Sequence, residues 1–265
     1  MDLGIHGRAA VVCAASKGLG KATALALARE GANVAVCARE LKGLETAAAE
    51  IRSAAAAGVR ILPIPADLTR ADEITRLIEA AVAEFGRLDI LVTNAGGPPV
   101  ATFPELDDDM WERGLTLTLK STIRCIRAAL PHMRRQKWGR IVNITSISAR
   151  QPINDLVISS TARPGILGLS KVLANQYASE GILVNSVTPG YILTDRQREI
   201  GNARAAARGV PLEEVLGSIA REIPAGRLGT PAELADVIAF LCSERAGYVT
   251  GTAIAVDGGM AKGLF

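Results

Sequence analysis

The sequence has few of the residues on which several common kinds of site depend. Its only histidines are His6 and His132, so a metal site or catalytic triad built on histidine has almost no material. The four cysteines fit neither a metal-ligand spacing nor a disulfide framework, and they are Cys13, Cys37, Cys125 and Cys242. We therefore expect no metal, and free buried thiols in a reducing compartment such as the cytoplasm.

Long apolar runs and a strong charge of either sign are also missing. No run approaches the roughly 20 residues of a membrane helix, and we expect no signal peptide because a charged-then-apolar start is absent. A net charge of +3 is too small to indicate binding to nucleic acid or to a membrane surface. With 265 residues, 49% of them hydrophobic, the chain is long enough for one large domain with a buried core.

Short apolar runs alternate with longer amphipathic stretches. The runs predict strands at residues 8–14, 33–38, 60–65, 88–93, 140–145, 183–188 and 253–256. The stretches predict helices at residues 19–30, 41–57, 71–85, 107–135 and 232–241, with another of about 20 residues between the fifth and sixth strands. We expect Pro131 to kink the end of the fourth helix.

This alternation indicates an α/β fold, a doubly wound parallel sheet with helices on both faces. Strands that are apolar throughout, as the first one is, are typical of a sheet covered on both sides. We expect one domain over residues 1–265. Within it, residues 191–228 are less regular and rich in Arg, Ala and Gly, and we interpret them as a mobile segment that covers a ligand.

A loop containing two glycines joins the first predicted strand to the first helix. Its residues are Ser16, Lys17, Gly18, Leu19 and Gly20. Glycines permit a tight turn and a close approach to a pyrophosphate, and the helix start offers free N–H groups and the positive end of its dipole. Taken alone, the loop is equally compatible with an ordinary turn between a strand and a helix.

Motifs in the rest of the chain favour the phosphate-binding interpretation. They are Asp67 and Leu68 after the third strand, Asn94, Ala95 and Gly96 after the fourth, Pro189, Gly190, Ile192 and Thr194 after the sixth, and the turn Asp257, Gly258 and Gly259. In this order, and over nearly the whole chain, they resemble the motifs of the short-chain dehydrogenase/reductase family. The resemblance implies a Rossmann-type fold and a nicotinamide dinucleotide held by these residues. Ala14 departs from the pattern, because the family has glycine there.

The choice of dinucleotide depends on the end of the second strand. NAD-using relatives have an acid there that holds the ribose hydroxyls, whereas this chain has Ala38 followed by Arg39. Arg39 and Lys17 together would suit a 2′-phosphate through charge-assisted hydrogen bonds. The sequence therefore favours NADP(H) over NAD(H), the alternative being that both side chains are solvated surface cations.

Most of the family's catalytic residues are replaced. Ser146 stands at the position of the catalytic serine, but 13 residues later, where the family has Tyr-x-x-x-Lys, this chain has Ser159 and Arg163. Thr118 replaces an asparagine of the family's long helix. In the family the tyrosine protonates the developing alkoxide, while the lysine lowers the tyrosine's pKa and holds the nicotinamide ribose. A serine is far less acidic than a phenol, so the proton needs another donor.

Two nearby side chains are candidates for that donor. Tyr191 follows Gly190, close to the expected nicotinamide, and Asp155 lies four residues before Ser159. Simpler interpretations are Tyr191 as a pocket wall, Asp155 as an acid at a helix start, and Ser146 as a hydroxyl at a strand end. A shifted register does not restore the missing pair, because Tyr177 is followed four residues later by Gly181.

Two functions stay open at this point. The first is an NADP(H)-dependent oxidoreductase for a small carbonyl or alcohol, similar to the 3-oxoacyl-carrier-protein-reductase-like group. In it Ser146 and Ser159 bind the substrate oxygen, Arg163 holds ribose, stabilises the alkoxide or favours a carboxylate-bearing substrate, and water or Tyr191 supplies the proton. The second is a catalytically inactive NADP(H)-binding sensor or partner subunit. The resemblance also implies a homotetramer or homodimer.

Overall fold

The computed structural model describes residues 2–263, which contain one parallel sheet of seven strands. The strands are β1 (Ala9–Val12), β2 (Asn33–Ala38), β3 (Ile61–Pro65), β4 (Ile90–Thr93), β5 (Gly139–Ile144), β6 (Ile182–Pro189) and β7 (Ala253–Val256). Their order is β3-β2-β1-β4-β5-β6-β7. The order reverses between β1 and β4, and in such sheets ligands bind beyond the carboxyl ends of the strands at this switch point.

Helices cover both faces of the sheet. They are α1 (Gly18–Arg29), α2 (Leu41–Ala54), α3 (Ala71–Phe85), α4 (Asp108–Leu115), α5 (Ser121–Gln136), α6 (Val157–Tyr177), α7 (Asp195–Arg208), α8 (Leu212–Glu222) and α9 (Pro231–Leu241). One face packs against α1, α2 and α9, and the other against α3, α5 and α6. The predicted doubly wound α/β fold is confirmed.

Strand β1 shows why the sequence of a central strand is apolar throughout. Ala10 and Val12 point into the core beneath α1, α2 and α9, whereas Ala9 and Val11 point into the core beneath α3, α5 and α6. Successive side chains of a strand face opposite sides, and both sides are buried here. A polar residue at any of these four positions would enter one of the two cores.

The predicted helix at residues 107–135 is two helices. A π-helical turn, Thr116–Lys120, separates α4 from α5, and α5 then continues through Pro131 to Gln136. The hydrophobic pattern could not show the interruption, because one wider turn barely changes the spacing of the apolar residues. Turns of this kind occur frequently at functional sites, and this one contains Thr118.

The segment at residues 191–228 is more regular than the sequence analysis predicted. It contains α7 and α8, whose buried side chains form a small separate core with Ile223: Ala205, Val215 and Ile219. The arginines and alanines that suggested an irregular segment are strong helix formers. The segment is therefore a pair of packed helices rather than an irregular loop.

All four cysteines are buried free thiols. Hydrogen bonding to Cys125 and burial raise the pKa of the Cys13 thiol, and hydrogen bonding to Cys13 and burial raise that of Cys37. Burial raises the pKa of Cys242 to about 12. Residues 2–263 hold no group of side chains suited to a metal ion, and none of their helices is long and apolar enough to span a membrane.

Candidate active site

The loops that follow β1, β4, β5 and β6 meet at the carboxyl edge of the sheet. The loop after β1 and the one after β4 are joined by the Asn94 side-chain amide, which donates to the Ala14 carbonyl at 3.4 Å. Gly20, in the first turn of α1, packs directly beneath that carbonyl, since a Cβ added at Gly20 would lie 2.4 Å from the Ala14 oxygen. Glycine is therefore required at position 20 by a close approach of two backbone segments.

The start of α1 is open to a ligand. No side chain of residues 2–263 caps its first turn, so its N–H groups have neither a carboxylate nor a hydroxyl as acceptor. Gly18 has φ +60 and begins the helix. A helix start of this kind can bind phosphate through its N–H groups and its dipole, so the open start of α1 is compatible with the predicted phosphate loop.

The loop after β6 closes on the phosphate loop from the other side. A Cβ at Gly18 would lie 3.7 Å from the Thr194 methyl group, and Lys17 pairs with Glu199 of α7 at 3.4 Å. Thr194 caps α7 by accepting from the Gln197 backbone N–H at 3.2 Å. A dinucleotide that contacts both Gly18 and Thr194, as the sequence motifs imply, fits this arrangement.

Gln197 is a candidate ligand residue that the sequence analysis missed. Its Nε2 atom is buried and has no hydrogen-bond acceptor within residues 2–263, the one such side-chain atom in that part of the chain. Buried donors are nearly always paired in native proteins. The amide in the first turn of α7 is therefore a candidate for contact with a bound group.

Ala14 occupies a backbone conformation that suits glycine. Its φ is +50, in the left-handed region where a Cβ costs roughly 1–2 kcal/mol. Alanine in place of the family's glycine therefore strains the backbone at position 14, and the loop still adopts the left-handed conformation there.

We expect Ala14→Gly to raise the free energy of unfolding by about 0.5–1 kcal/mol, because relief of strain exceeds the added flexibility of the unfolded chain. Urea denaturation measures the effect. Ala10→Gly, in β1 at a buried position outside the left-handed region, is the control and should lower stability. A destabilised Ala14→Gly protein would contradict the strain.

The adenosine end of the predicted cofactor site contains one acidic and one basic side chain, Asp67 and Arg39. Burial alone would raise the pKa of Asp67, but hydrogen bonds from Thr69 and the nearby charge of Arg39 lower it below its usual range, and the Thr69 amide and hydroxyl lie 2.9 Å and 2.8 Å from Asp67 Oδ1. Leu68 is buried. Arg39 is exposed just after β2 and forms no ion pair within residues 2–263.

Arg163 lies across the carboxyl end of β5. Its Nε donates to Ser159 Oγ at 3.0 Å, and its Nη1 donates to the carbonyls of Thr145 at 2.7 Å and Ile144 at 3.4 Å. Burial lowers the pKa of Arg163 to about 10, so the guanidinium is charged at neutral pH although no acid pairs with it within residues 2–263. Its Nη2 donates to no residue in that range. The structure thus holds a cation with a free donor group at this edge.

Ser148 joins this group, and the sequence analysis missed it. Its Oγ lies 2.9 Å from Ser159 Oγ, and its backbone N–H donates to Ser146 Oγ at 3.1 Å. Ser148 and Ser159 are buried, whereas Ser146 and Arg163 are half-buried. Ser146 and Arg163 are therefore the more accessible groups. Ser159 accepts from the guanidinium, and Ser148 contacts Ser159 in turn. The spacing of Ser146 and Ser148, typical of a hydroxyl that caps a short turn, was the available signal.

The other predicted catalytic residues lie apart from this cluster. Thr118 is buried and donates to the Gly114 carbonyl at 2.7 Å. Tyr191 packs on the small core of α7 and α8, and Asp155 pairs with Arg204 at 2.9 Å. None of the three hydrogen-bonds to Ser146, Ser159 or Arg163. Tyr191 and Asp155 therefore make no direct contact with the predicted catalytic hydroxyls or guanidinium in this structure.

The fold and the site define a nucleotide-binding α/β protein of the oxidoreductase class, and comparison with known proteins agrees. A family model described as enoyl-(acyl carrier protein) reductase matches residues 13–261. The 3-oxoacyl-[acyl-carrier-protein] reductase of Staphylococcus aureus strain N315 is 35% identical over 253 residues, which cover 96% of this chain and 98% of that protein. The chain therefore belongs to the short-chain dehydrogenase/reductase family.

Two further relatives show the range of the similarity. The cis-4-hydroxycyclohexanecarboxylate dehydrogenase of Sinomonas cyclohexanicum is 39% identical over 253 residues, covering 95% of this chain and 96% of its own. The L-sorbose reductase of Gluconobacter frateurii, solved with NADPH and L-sorbose, superposes with a TM-score of 0.95 at 35% identity and covers 100% of both chains. The family is thus supported by sequence and by structure.

Proposed function

We propose that this protein is an NADP(H)-dependent oxidoreductase that interconverts the carbonyl and alcohol forms of a small molecule. The observation that carries the proposal is the placement of Arg163. Its charged guanidinium is fixed at the end of β5, next to the half-buried Ser146, and its Nη2 donates to no residue of the described range 2–263. A fixed cation at that place stabilises the negative charge that develops on a substrate oxygen.

The residues that would hold the cofactor fit a dinucleotide. The uncapped start of α1 accepts the diphosphate, and Gly96 leaves open space, since nothing lies within 4 Å of a Cβ added there. Further cofactor contacts are assigned to Ser16, Leu19, Asp67, Leu68, Asn94, Ala95, Pro189, Gly190, Ile192 and Thr194. When bound, the nicotinamide supplies or accepts the hydride, and the protein's own residues act on the substrate oxygen.

Ser146 and Arg163 act on that oxygen in this proposal. Ser146 Oγ orients it by a hydrogen bond, and Arg163 stabilises it as its charge develops. Ser159 is a positioning residue, because its hydroxyl accepts from Arg163 Nε and is itself held by Ser148. Arg163 stays charged at neutral pH and donates no proton there, so water in the open cleft, or Tyr191 after a movement of its loop, supplies the proton.

The proposal is tested by oxidation of NADPH with a panel of ketones, aldehydes and quinones. Turnover that falls about 10- to 100-fold in Ser146→Ala, but not in the matched variant Ser218→Ala on α8, is the expected result. Ser218 donates to the Val215 carbonyl within its own helix, so its loss leaves the site intact. Equal turnover by both variants would contradict the role of Ser146.

NADP(H) rather than NAD(H) is proposed because Arg39 is unpaired and Ala38 leaves no acid for the ribose hydroxyls. We expect Arg39→Ala to raise the Kd for NADPH about 10- to 100-fold, since one or two charge-assisted hydrogen bonds to the 2′-phosphate are lost. The Kd for NADH should not change. Fluorescence titration measures both, with Arg29→Ala, an exposed arginine at the end of α1, as the control. Equal weakening of both dinucleotides would contradict the assignment.

A catalytically inactive NADP(H)-binding protein is the second candidate. It is favoured by the burial of Ser159 and Thr118, whose hydroxyls are already hydrogen-bonded within the protein. The double variant Ser159→Tyr/Arg163→Lys separates the two candidates. Turnover by the variant alone would show an intact site that lacks its proton donor and would favour the inactive protein, whereas turnover by the parent supports the enzyme.

The proposal extends to the surroundings of the site. The α7–α8 segment, residues 191–228, covers the bound molecules, and the ion pairs Lys17–Glu199 and Asp155–Arg204 connect α7 to the body. The protein works as a homotetramer or homodimer, as the resemblance to its family implies. The four free thiols suit the reducing conditions of the cytoplasm.

A further inference from the structure

An open cleft of about 390 Å³ lies between α7 and the segments that precede α4 and α6. One part of its lining is apolar and the other charged: Val100, Ile200, Ala203 and Ala207, and Asp155, Arg196, Glu199 and Arg204. Asp155 lies four residues before Ser159, and Ala101 donates its backbone N–H to the Asp155 carbonyl at 2.9 Å. The cleft therefore borders the segment that leads into α6, and its Glu199 pairs with Lys17 of the loop after β1.

Arg204 is one of the two arginines that line this cleft, the other being the more exposed Arg196. Its Nη2 donates to Asp155 Oδ2 at 2.9 Å, and the two side chains are 31% and 37% exposed. Burial alone would lower the pKa of Arg204, but hydrogen bonds with Asp155 and Tyr191 raise it. A guanidinium has five N–H donors, so Arg204 is held in place by two side chains and keeps donors for a further acceptor.

The pair with Asp155 is easily exchanged. Ion pairs that water reaches contribute only about 0–1 kcal/mol, so a ligand that makes two parallel hydrogen bonds to the guanidinium can replace the single bond from Asp155. The charged side chains that line the cleft balance, with Arg196 and Arg204 against Asp155 and Glu199. The preference for an anion therefore rests on the exchangeable bond at Arg204.

We propose that Arg204 binds a carboxylate of the substrate, and that the substrate is a hydroxy or oxo acid with an apolar body. The apolar lining accommodates the body, and the oxygen that reacts lies toward Ser146 and Arg163. Arg163 itself does not suit this role, because two of its nitrogens are committed to Ser159 and to the carbonyls of β5. The statement about the reacting oxygen rests on the proposed function, whereas the binding of a carboxylate does not.

The test measures binding rather than turnover. Isothermal titration calorimetry of the NADPH-loaded protein compares cyclohexanecarboxylate with cyclohexanecarboxamide, which has the same body and no charge. We expect the carboxylate to bind about 10- to 100-fold more tightly. Arg204→Gln should remove this preference. Arg208→Gln, an exposed arginine one turn later on α7, should retain it, and Asp155→Asn should strengthen it by removing the competing carboxylate.

Three outcomes would overturn the proposal. They are equal binding of the two probes, a preference for the carboxylate that survives Arg204→Gln, and binding of neither probe. A protein that shows the Arg204-dependent preference but oxidises no NADPH with any oxo acid would refute the proposed function and leave the carboxylate site standing. Turnover of neutral ketones with no preference for the acid would support the proposed function and refute the carboxylate site.

Discussion

Replacing Arg163 with methionine is expected to lower kcat about 100- to 1000-fold, the usual effect of removing a fixed donor at a developing negative charge. Methionine keeps much of the side chain's length and removes the charge. Arg163→Lys restores a charge, though not the forked geometry, and should recover part of the loss. Arg52→Met is the control, since Arg52 also donates to a carbonyl, that of Ile61, at the opposite edge of the sheet.

The pH profile separates this role from a structural one. Because burial lowers the pKa of Arg163 to about 10, the cation prevails below that pH, and kcat should fall as the pH rises through about 10. The contribution of Arg163 to the free energy of unfolding changes in the opposite direction, since it increases as the pH rises. A base whose pKa is lower in the folded protein than in the unfolded chain binds fewer protons when folded, so its contribution to stability rises between the two pKa values. We therefore expect the parent protein to lose kcat above about pH 10 while it remains folded, and we expect Arg163→Met to show no such pH-dependent loss.

Gly20→Ala is expected to lower the free energy of unfolding by about 3 kcal/mol and to weaken NADPH binding at least tenfold. The added methyl group would lie 2.4 Å from the Ala14 carbonyl oxygen, so either α1 or the phosphate loop must shift. Chemical denaturation and fluorescence titration measure the two effects, and both should change together.

Gly43→Ala is the matched control for this substitution. Gly43 lies in the first turns of α2, and nothing is found within 4 Å of a Cβ added there. Alanine should therefore raise stability by about 0.5–1 kcal/mol, because glycine is the poorer helix former. Similar losses in both variants would contradict the close approach at Gly20 as the cause of the loss.

Elements with strong local signals were predicted well. Helix α3 has the predicted bounds because its apolar residues repeat at helical spacing and Gly86, at φ +75, ends it in the left-handed conformation. Strands β2 and β7 also begin and end where their apolar runs do. In each case the residues that fix the element lie within or next to it, so the sequence alone contains the information.

Features that depend on distant contacts were missed. Ser148 meets Ser159 only when the loop after β5 folds against α6, and the unpaired Gln197 amide is recognised only from its surroundings. The pairing of Asp155 with Arg204 joins residues 49 positions apart. The site residues named from motifs could be placed at one edge of the sheet, but their exposure could not, and exposure distinguishes Ser146 from Ser159.

The burial of every cysteine has a practical consequence for studying the α7–α8 segment. A thiol reacts with alkylating dyes as the thiolate and only when the reagent reaches it, and Cys13, Cys37, Cys125 and Cys242 are all buried. The folded wild-type chain should therefore give almost no labelling background. Ala207→Cys, at an exposed position on α7, would then carry the only dye. Its emission during titration with NADPH would follow the segment without removal of any native cysteine.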